Sequence, residues 1–383
     1  MKIAIEGQRL FRTKKHGMDM VALELIRNLQ KIDKKNEYIV FVKPDEDKCL
    51  QDTENFKIVE LKGGPYPVWE QWALPRAVEK YGCDVLHCTS NTAPIFGKTP
   101  LVVILHDIIY LESISILKKA GSWYQKFGNM YRRWVVPHVV KRSKKVVTVS
   151  NYEKERIGKF FGFGKEKLTA IYNGVGEHFK KVTDEAYLKS IKEKYNLPDD
   201  FFFFLGNTDP KKNTKGVLQA FADFNTQSSK TYKLVMLDYD KAELKRLLDE
   251  IGHPEQFENI FLTGYVPNIE MPAIINQCKL FLYPSLRESF GIPILEGMAC
   301  GVPVITSNTS SMPEVAGDAA CIVDPHNPEE ITQAMQRILI DDDYRNELCR
   351  KGMERASHFS WKRMAEENLK LYKELTLKEE AYA

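Results

Sequence analysis

Residues 279–306 read KLFLYPSLRESFGIPILEGMACGVPVIT, and the order of signals within that stretch decides the fold class. LFLYPS, 280–285, is a short apolar run closed by Pro284 and Ser285, the pattern of a buried strand. LRESFG is polar and ends in glycine, hence a loop. Pro293 falls in the first turn of the helix that follows, Gly301 closes that helix as a left-handed cap, and VPVIT begins another strand. Glu288 therefore stands at the carboxyl end of a strand. Glu296, with seven residues between the two, lies early in the next helix. That edge is where open parallel sheets bind ligands.

The same alternation runs outward in both directions. KIAIEG (2–7) is followed by a helix near 18–31, then by EYIVFVK, DVLHCT, PLVVILHD and KVVTVS. The pattern pauses over 173–200 and restarts with FFFFLGN at 201, followed by KLVMLD, NIFLTGY, LFLYPS, PVIT and CIVD. Strands alternating with amphipathic helices imply parallel sheets covered by helices. The fold class expected is α/β, two doubly wound parallel-sheet domains joined near 180–195. The first domain is placed over 1–180, the second over 195–358, and a charged closing helix over 359–383.

The bulk numbers bound the function. A chain of 383 residues has ample core for two domains. Its net charge of +3 is too mild to argue for nucleic acid. The 7 cysteines are odd in number and form no C-x-x-C pair, which points to free thiols in a reducing compartment and so to the cytoplasm. MKIAIEG starts directly as a strand, with no signal peptide expected, and no run approaches the ~18 apolar residues of a membrane span.

Four segments carry candidate chemistry. Backbone N–H groups around Phe290, Gly291 and Ile292 open a helix and can hold a phosphate, while Glu288 and Glu296 can accept hydrogen bonds from hydroxyls. Phosphates flanked by polyols describe a nucleotide sugar. Glu288 as a solvated loop charge and Glu296 as a first-turn residue fit the spacing equally well. LGNTDPKKNTKGVLQAF, 205–221, follows the FFFF strand, and Lys212 is the candidate for a diphosphate; Lys211 and Lys215 read as solvated. In LHDIIY, 105–110, His106 ends an apolar run. It is either a hydrogen-bonded structural histidine or a group that orients an acceptor or stabilises a leaving group. Gly17 lies in the first strand-to-helix connection, where backbone approaches a phosphate if one binds.

Other motifs are absent or decoys. No G-x-G-x-x-G follows the first strand and no G-x-x-x-x-G-K-[ST] occurs. Asp238-Tyr239-Asp240 is formally D-x-D, but Asp240 with Glu243 outlines a capping box at a helix start, so no metal is expected.

These segments, in this order, resemble the family 4 retaining glycosyltransferases (glycosyl transferases group 1) of the GT-B fold. The resemblance covers nearly the whole chain: HGMDMVALELI, WEQWALP, DVLHCTSNTAP, LHDIIY, VTVSNYEKERI, IYNGV, GNTDPKKN, TGYVPNIEMPAII, the long YPSLRESFGIPILEGMACGVPVITSNTSSMPEVAGDAACIVDP and HFSW. It implies two Rossmann-like domains facing a cleft, with the C-terminal helix returning to the N-terminal, acceptor-side domain. It implies Glu296 on the nucleotide ribose, Glu288 on the transferred sugar, and Ser289, Phe290, Gly291 and Ile292 holding phosphate and sugar through backbone groups. Lys212 and neighbouring Asn207 would lie at the diphosphate, Gly17 on the phosphate or acceptor side, and His106 near the reacting centre. TGYV, with Tyr265 and Val266, would flank the base. The donor implied is GDP-mannose or a UDP-sugar, with no cofactor or metal. The acceptor is a glycan or lipid-linked hydroxyl, and the setting is mannosyltransferase-like, in cell-surface polysaccharide synthesis. A non-catalytic sugar-nucleotide binder and a GT-B epimerase or phosphorylase are the alternatives. One departure stands out: members of that family often carry an arginine just after the strand that precedes the phosphate loop, where this chain reads Gly206-Asn207-Thr208.

Aromatic and basic residues interleave over 112–145, among them Trp123, Tyr124, Phe127, Tyr131 and Trp134 with Lys119, Lys126, Arg132, Arg133, Lys141 and Lys144. The stretch reads either as a peripheral contact with an anionic membrane face or as a core-facing helix with a solvated basic side.

Overall fold

The computed structural model describes residues 1–112, 123–164 and 166–380. The chain divides into two compact units, one of Met1–Asn173 with Trp361–Ala383 and one of Gly174–Ser360. The sequence places the join near 180–195. That segment instead belongs to the second unit, where Glu185–Tyr195 is a helix capped by Asp184. Lys194 and Tyr195 bind Glu270 and the Val182 N–H donates to Asn276, which fixes the segment to that unit.

The first unit is built on β1 (Lys2–Glu6), β2 (Glu37–Val42), β3 (Phe56–Glu60), β4 (Val85–Cys88), β5 (Leu101–Ile104), β6 (Lys145–Thr148) and β7 (Leu168–Ala170). Among the described residues these form one sheet in the order β3-β2-β1-β4-β5-β6-β7. All pairings are parallel; Ile3, for example, faces Tyr38 on one side and Val85 on the other. The strands are almost continuously apolar because helices cover both faces. One core gathers Phe41, Leu86, Val103 and Val146 with Trp69 and Leu74 and with Val135, Val136 and Val139.

The closing helix Trp361–Glu380 packs against the helix Gly17–Ile32 in this same unit. Its Tyr372 hydroxyl meets His87 Nδ1 at 2.5 Å, in the middle of β4, with both side chains fully buried. Burial holds the His87 imidazole neutral by pulling its pKa down to about 3.

The second unit carries β8 (Phe201–Phe204), β9 (Lys233–Met236), β10 (Ile260–Leu262), β11 (Leu280–Tyr283), β12 (Val304–Ser307) and β13 (Cys321–Val323). Among the described residues their order is β10-β9-β8-β11-β12-β13, again all parallel. The FFFF run shows why the strands need both faces covered. Phe202 packs on Phe221, Phe224 and Tyr232, while Phe203 points the other way and stacks on Phe281 at 5.5 Å.

In each sheet the strand order reverses once, between β1 and β4 and between β8 and β11. Loops leaving the carboxyl ends of the two strands there diverge and open a crevice, the position where such sheets take ligands. Lys212 follows β8, and Glu288 follows β11.

His87 makes the first unit acid-sensitive. Its folded pKa lies below the ordinary histidine value of about 6.5, so the unfolded chain binds the extra proton. The stabilisation is complete above about pH 6.5 and is lost as pH falls toward about 3. Between pH 7 and 5 the loss is expected to be ~2 kcal/mol. All five tryptophans (69, 72, 123, 134 and 361) belong to this unit, so their fluorescence reports on it alone. Urea unfolding followed by that signal should show this slope, and His87→Gln should flatten it. Equal slopes in the two proteins would refute the assignment.

Candidate functional site

The site at the second unit's switch point starts from the loop after β8. Asp209 Oδ1 caps the Lys211 N–H at 3.1 Å and starts the tight turn Pro210–Lys212. Asn213 ends it at φ 59, a left-handed conformation that asparagine tolerates. The Asn213 amide donates to the carbonyls of Pro284 and Pro325, and the Leu286 N–H donates to the Lys211 carbonyl at 2.7 Å. The Lys212 turn is thereby tied to the loop that carries Glu288.

Lys212 Nζ lies 2.6 Å from the Tyr283 hydroxyl and 2.7 Å from Glu288 Oε1. The ammonium also sits 4.7 Å from the centroid of the Tyr283 ring. Lys212 and Glu288 side chains are only 15% and 13% exposed. Such a pair is held more firmly than a surface ion pair, because solvent screens it less. Tyr283 is buried at the end of β11, and burial, then the Glu288 charge, push its hydroxyl well above the usual range. Lys211 and Lys215 pair outward with Asp209 and Glu250, the solvated role expected of them.

The Glu288 loop is held by hydroxyls. Ser310 Oγ accepts the Glu288 N–H at 3.0 Å, and Ser311 Oγ donates to the carbonyls of Glu288 and Phe290 at 2.9 Å. Thr309 donates to the Leu286 carbonyl at 3.0 Å and Ser307 to that of Ser285. The sequence reading passed over these residues and Tyr283. The signal lay in the run TSNTSS, 306–311, directly after a strand. The tetrapeptide TSNT recurs at 89–92, directly after β4 in the first unit.

Gly291 sits at φ 100, where only glycine is unstrained, and a Cβ there would stand 3.0 Å from Ile294. It starts the helix Ile292–Ala299, whose first N–H groups have no partner within the helix. Ser289 lies in this loop and Phe290 packs inward, edge-on to Phe359 at 5.9 Å. The carboxylate of Glu296, one turn into the helix, makes no hydrogen bond or ion pair among the described residues. Burial raises its carboxyl to about 7, against the pull of Lys212.

The remaining expected residues divide. Asn207 is exposed and spends its Oδ1 on the Asp209 N–H, so its side chain shapes the turn. Tyr265 is 82% exposed, whereas Val266 is a core residue whose side chain is not presented to a ligand. Asp240 caps the helix Lys241–Glu250 through the Glu243 N–H at 2.7 Å, as its sequence position suggests.

In the first unit, His106 and Gly17 lie on the carboxyl side of the sheet. His106 is buried, its N–H donates to Asn91 Oδ1 at 2.6 Å, and Nε2 lies 3.0 Å from the Thr89 carbonyl. A carbonyl only accepts, so Nε2 carries the proton and Nδ1 is left an acceptor. Burial lowers its pKa and favours this neutral form. Gly17 is the first residue of the helix Gly17–Ile32, and a Cβ added there would meet no atom within 4 Å. Packing of this unit therefore does not require glycine at that position.

Beside them, Glu70 of WEQWALP is a buried carboxylate that accepts from Tyr66, Thr92, Tyr131 and Gln71 at 2.5–3.0 Å. It joins the helical segment at 66–73, the TSNT loop and the helix Trp123–Arg142. Burial raises its pKa against those hydrogen bonds.

A pair of doubly wound parallel sheets, one of them with a lysine and two carboxylates at its switch point, defines a class of α/β proteins that take ligands at that edge. Comparison with known proteins narrows it. Residues 16–178 match the family Glycosyltransferase Family 4 and residues 188–355 match Glycosyl transferases group 1. The two matches leave 179–187 between them, and the chain carries both of these glycosyltransferase domains. It is 30% identical over 232 residues to O-antigen chain mannosyltransferase B of Escherichia coli, a stretch covering 60% of this chain and 61% of that protein. It is 29% identical over 265 residues to the serotype-specific mannosyltransferase WbdA of Escherichia coli, covering 68% of this chain and 32% of that one. The chain thus spans less than two thirds of either relative. The structure of Anabaena HepE in complex with UDP-glucose has a TM-score of 0.74 at 16% identity, covering 98% of this chain and 100% of that one, a likeness of fold.

Proposed function

We propose that the chain transfers a sugar, with retained configuration and without a metal, from a nucleoside diphosphate sugar to a hydroxyl of a glycan or lipid-linked acceptor in cell-surface polysaccharide synthesis. The observation that carries this reading is the convergence of Lys212, Glu288 and Glu296 with a helix N-terminus at one switch point. A cation and helix N–H groups suit a diphosphate, and carboxylates suit hydroxyls. The names of the E. coli relatives favour mannose, and with it GDP-mannose as donor; a UDP-sugar is the other candidate.

The residues divide the work as follows. Lys212 and the backbone of Ser289, Gly291 and Ile292 hold the diphosphate, Glu288 binds hydroxyls of the transferred sugar, and Glu296 accepts from the ribose. Tyr265 offers its exposed ring to the base. His106 and Gly17 serve the acceptor side. In the reaction the bond between anomeric carbon and phosphate oxygen loosens, and positive charge builds on the sugar. The acceptor oxygen attacks from the face the phosphate leaves, and its proton passes to the departing phosphate oxygen. Lys212 stabilises the charge that grows on the diphosphate. Here Glu288 shares Lys212 with the incoming phosphate, so the ion pair lengthens or opens when donor binds.

Lys212→Ala is expected to lower turnover at saturating donor by roughly 10²–10³, the scale for losing one such group. Near wild-type turnover would overturn the role. Donor bound by the wild type with neither transfer nor hydrolysis would instead favour a non-catalytic binder. In the same assay, EDTA is expected to leave the wild-type rate unchanged; loss of activity restored by a divalent ion would contradict the metal-free reading.

A second element of the proposal is contact with an anionic membrane face. Among the described residues no helix is long and apolar enough to cross a membrane. The helix Trp123–Arg142 presents Phe127, Met130 and Trp134 to solvent at 52–60% exposure, at helical spacings of three and four that place them on one side. Lys141 and Lys144 lie exposed beyond them. The rest of the 112–145 stretch divides. Tyr131 points inward to Glu70, and Arg142 is spent on the carbonyls of Pro94, Gly97 and Thr99. Lys119 lies outside the described residues, as do the side chains of Trp123, Tyr124 and Lys126. Aromatic groups beside bases suit an anionic lipid surface. Co-sedimentation with phosphatidylglycerol vesicles is expected, weakened by salt and by Phe127→Ala with Trp134→Ala. Equal sedimentation with neutral vesicles, or none with either, would count against it.

A further inference from the structure

We propose that Tyr283 is the positioning residue for Lys212, and that this chain places its diphosphate-binding cation through a tyrosine seat. The proposal rests on the reading of Lys212 given above. An ammonium has three N–H donors. Two are committed, to the Tyr283 hydroxyl at 2.6 Å and to Glu288 at 2.7 Å, and the third has no protein partner among the described residues. Of the two partners, Glu288 is also the carboxylate assigned to sugar hydroxyls, so it is the one that exchanges when donor arrives. Tyr283 does not exchange. Its hydroxyl stays on Lys212 whatever Glu288 does.

The seat is rigid for reasons visible in the sheet. Tyr283 is the last residue of β11 and 1% exposed. Its ring stacks on Phe281 at 6.3 Å, and Phe281 stacks on Phe203 of β8 at 5.5 Å, an aromatic row that crosses the switch point. Its carbonyl accepts from Thr306 at 3.0 Å. A lysine has a flexible stem of four carbons and is a point charge without a fixed fork. Tyr283, anchored in the sheet, therefore fixes where the ammonium of that stem stands.

Tyr283→Phe keeps the ring and the stack and removes only the hydroxyl. It is expected to melt within a few degrees of wild type and to lose about tenfold to a hundredfold in kcat, the range for one hydrogen bond to a charged group. KM for the donor should change less. A structural role alone would act in any background, so the deciding measurement is the double variant: in Lys212→Ala, adding Tyr283→Phe should change kcat by less than twofold. An equal loss in both backgrounds, or wild-type kcat in Tyr283→Phe, would overturn the proposal. If Tyr283→Phe does not fold, Lys212→Arg serves, since a guanidinium cannot occupy the same seat; turnover near wild type would then overturn it. A Lys212→Ala variant as active as wild type would instead remove the function reading on which the proposal stands.

Discussion

The second unit's site depends on one constraint: a lysine ammonium and a glutamate carboxylate, both largely removed from water, have to remain charged and close without collapsing the loops that carry them. Removing either partner from such a pair leaves an uncompensated charge. The fold meets the constraint locally. The Lys212 turn is capped by Asp209 and anchored through Asn213, and the Glu288 loop hangs from the hydroxyls of Ser307, Thr309, Ser310 and Ser311. Tyr283 lies between the two segments. Under the proposed function, this gives a cation already in position and a carboxylate that exchanges its partner for a sugar hydroxyl.

The first unit uses related means for a different cluster. Its TSNT segment also follows a strand beside the sheet's reversal, and its side chains also tie neighbouring loops together. Thr89 donates to Glu6, Asn91 accepts from the His106 N–H, and Thr92 donates to Glu70. Short hydroxyl side chains suit these places because they satisfy loop carbonyls and N–H groups at a parallel sheet's edge without the bulk that would fill a ligand site. Glu70 is the most heavily committed carboxylate of this group. Its four donors come from three chain segments, which makes WEQWALP a brace between them.

The fold was legible in the sequence to the level of two parallel-sheet domains, because buried parallel strands leave apolar runs such as FFFF and LVVI between amphipathic helices; the short edge strands β3 and β7, with no such run, were not. The placement of Lys212, Glu288 and Glu296 followed from the same pattern, since each lies at a fixed offset from a strand end. What was not legible came from side-chain direction. Tyr283 read as one more apolar residue of a strand, and nothing in LFLY says that its hydroxyl reaches across to Lys212. Val266 read as a ligand-side residue and is core, while Tyr265 beside it is exposed, a distinction of which way one residue points. The extent of the second unit was also missed: Glu185–Tyr195 looks like a connecting charged helix, and only its bonds to Glu270 assign it.

The most direct measurement is a crystal structure of the protein grown with GDP or UDP at saturating concentration. The diphosphate should contact Lys212 Nζ and the backbone N–H groups at the start of Ile292–Ala299, with a ribose hydroxyl on Glu296 and the Lys212–Glu288 distance lengthened from 2.7 Å. A nucleotide bound with its phosphates away from Lys212, or its ribose away from Glu296, would contradict the assignment of this switch point as the donor site.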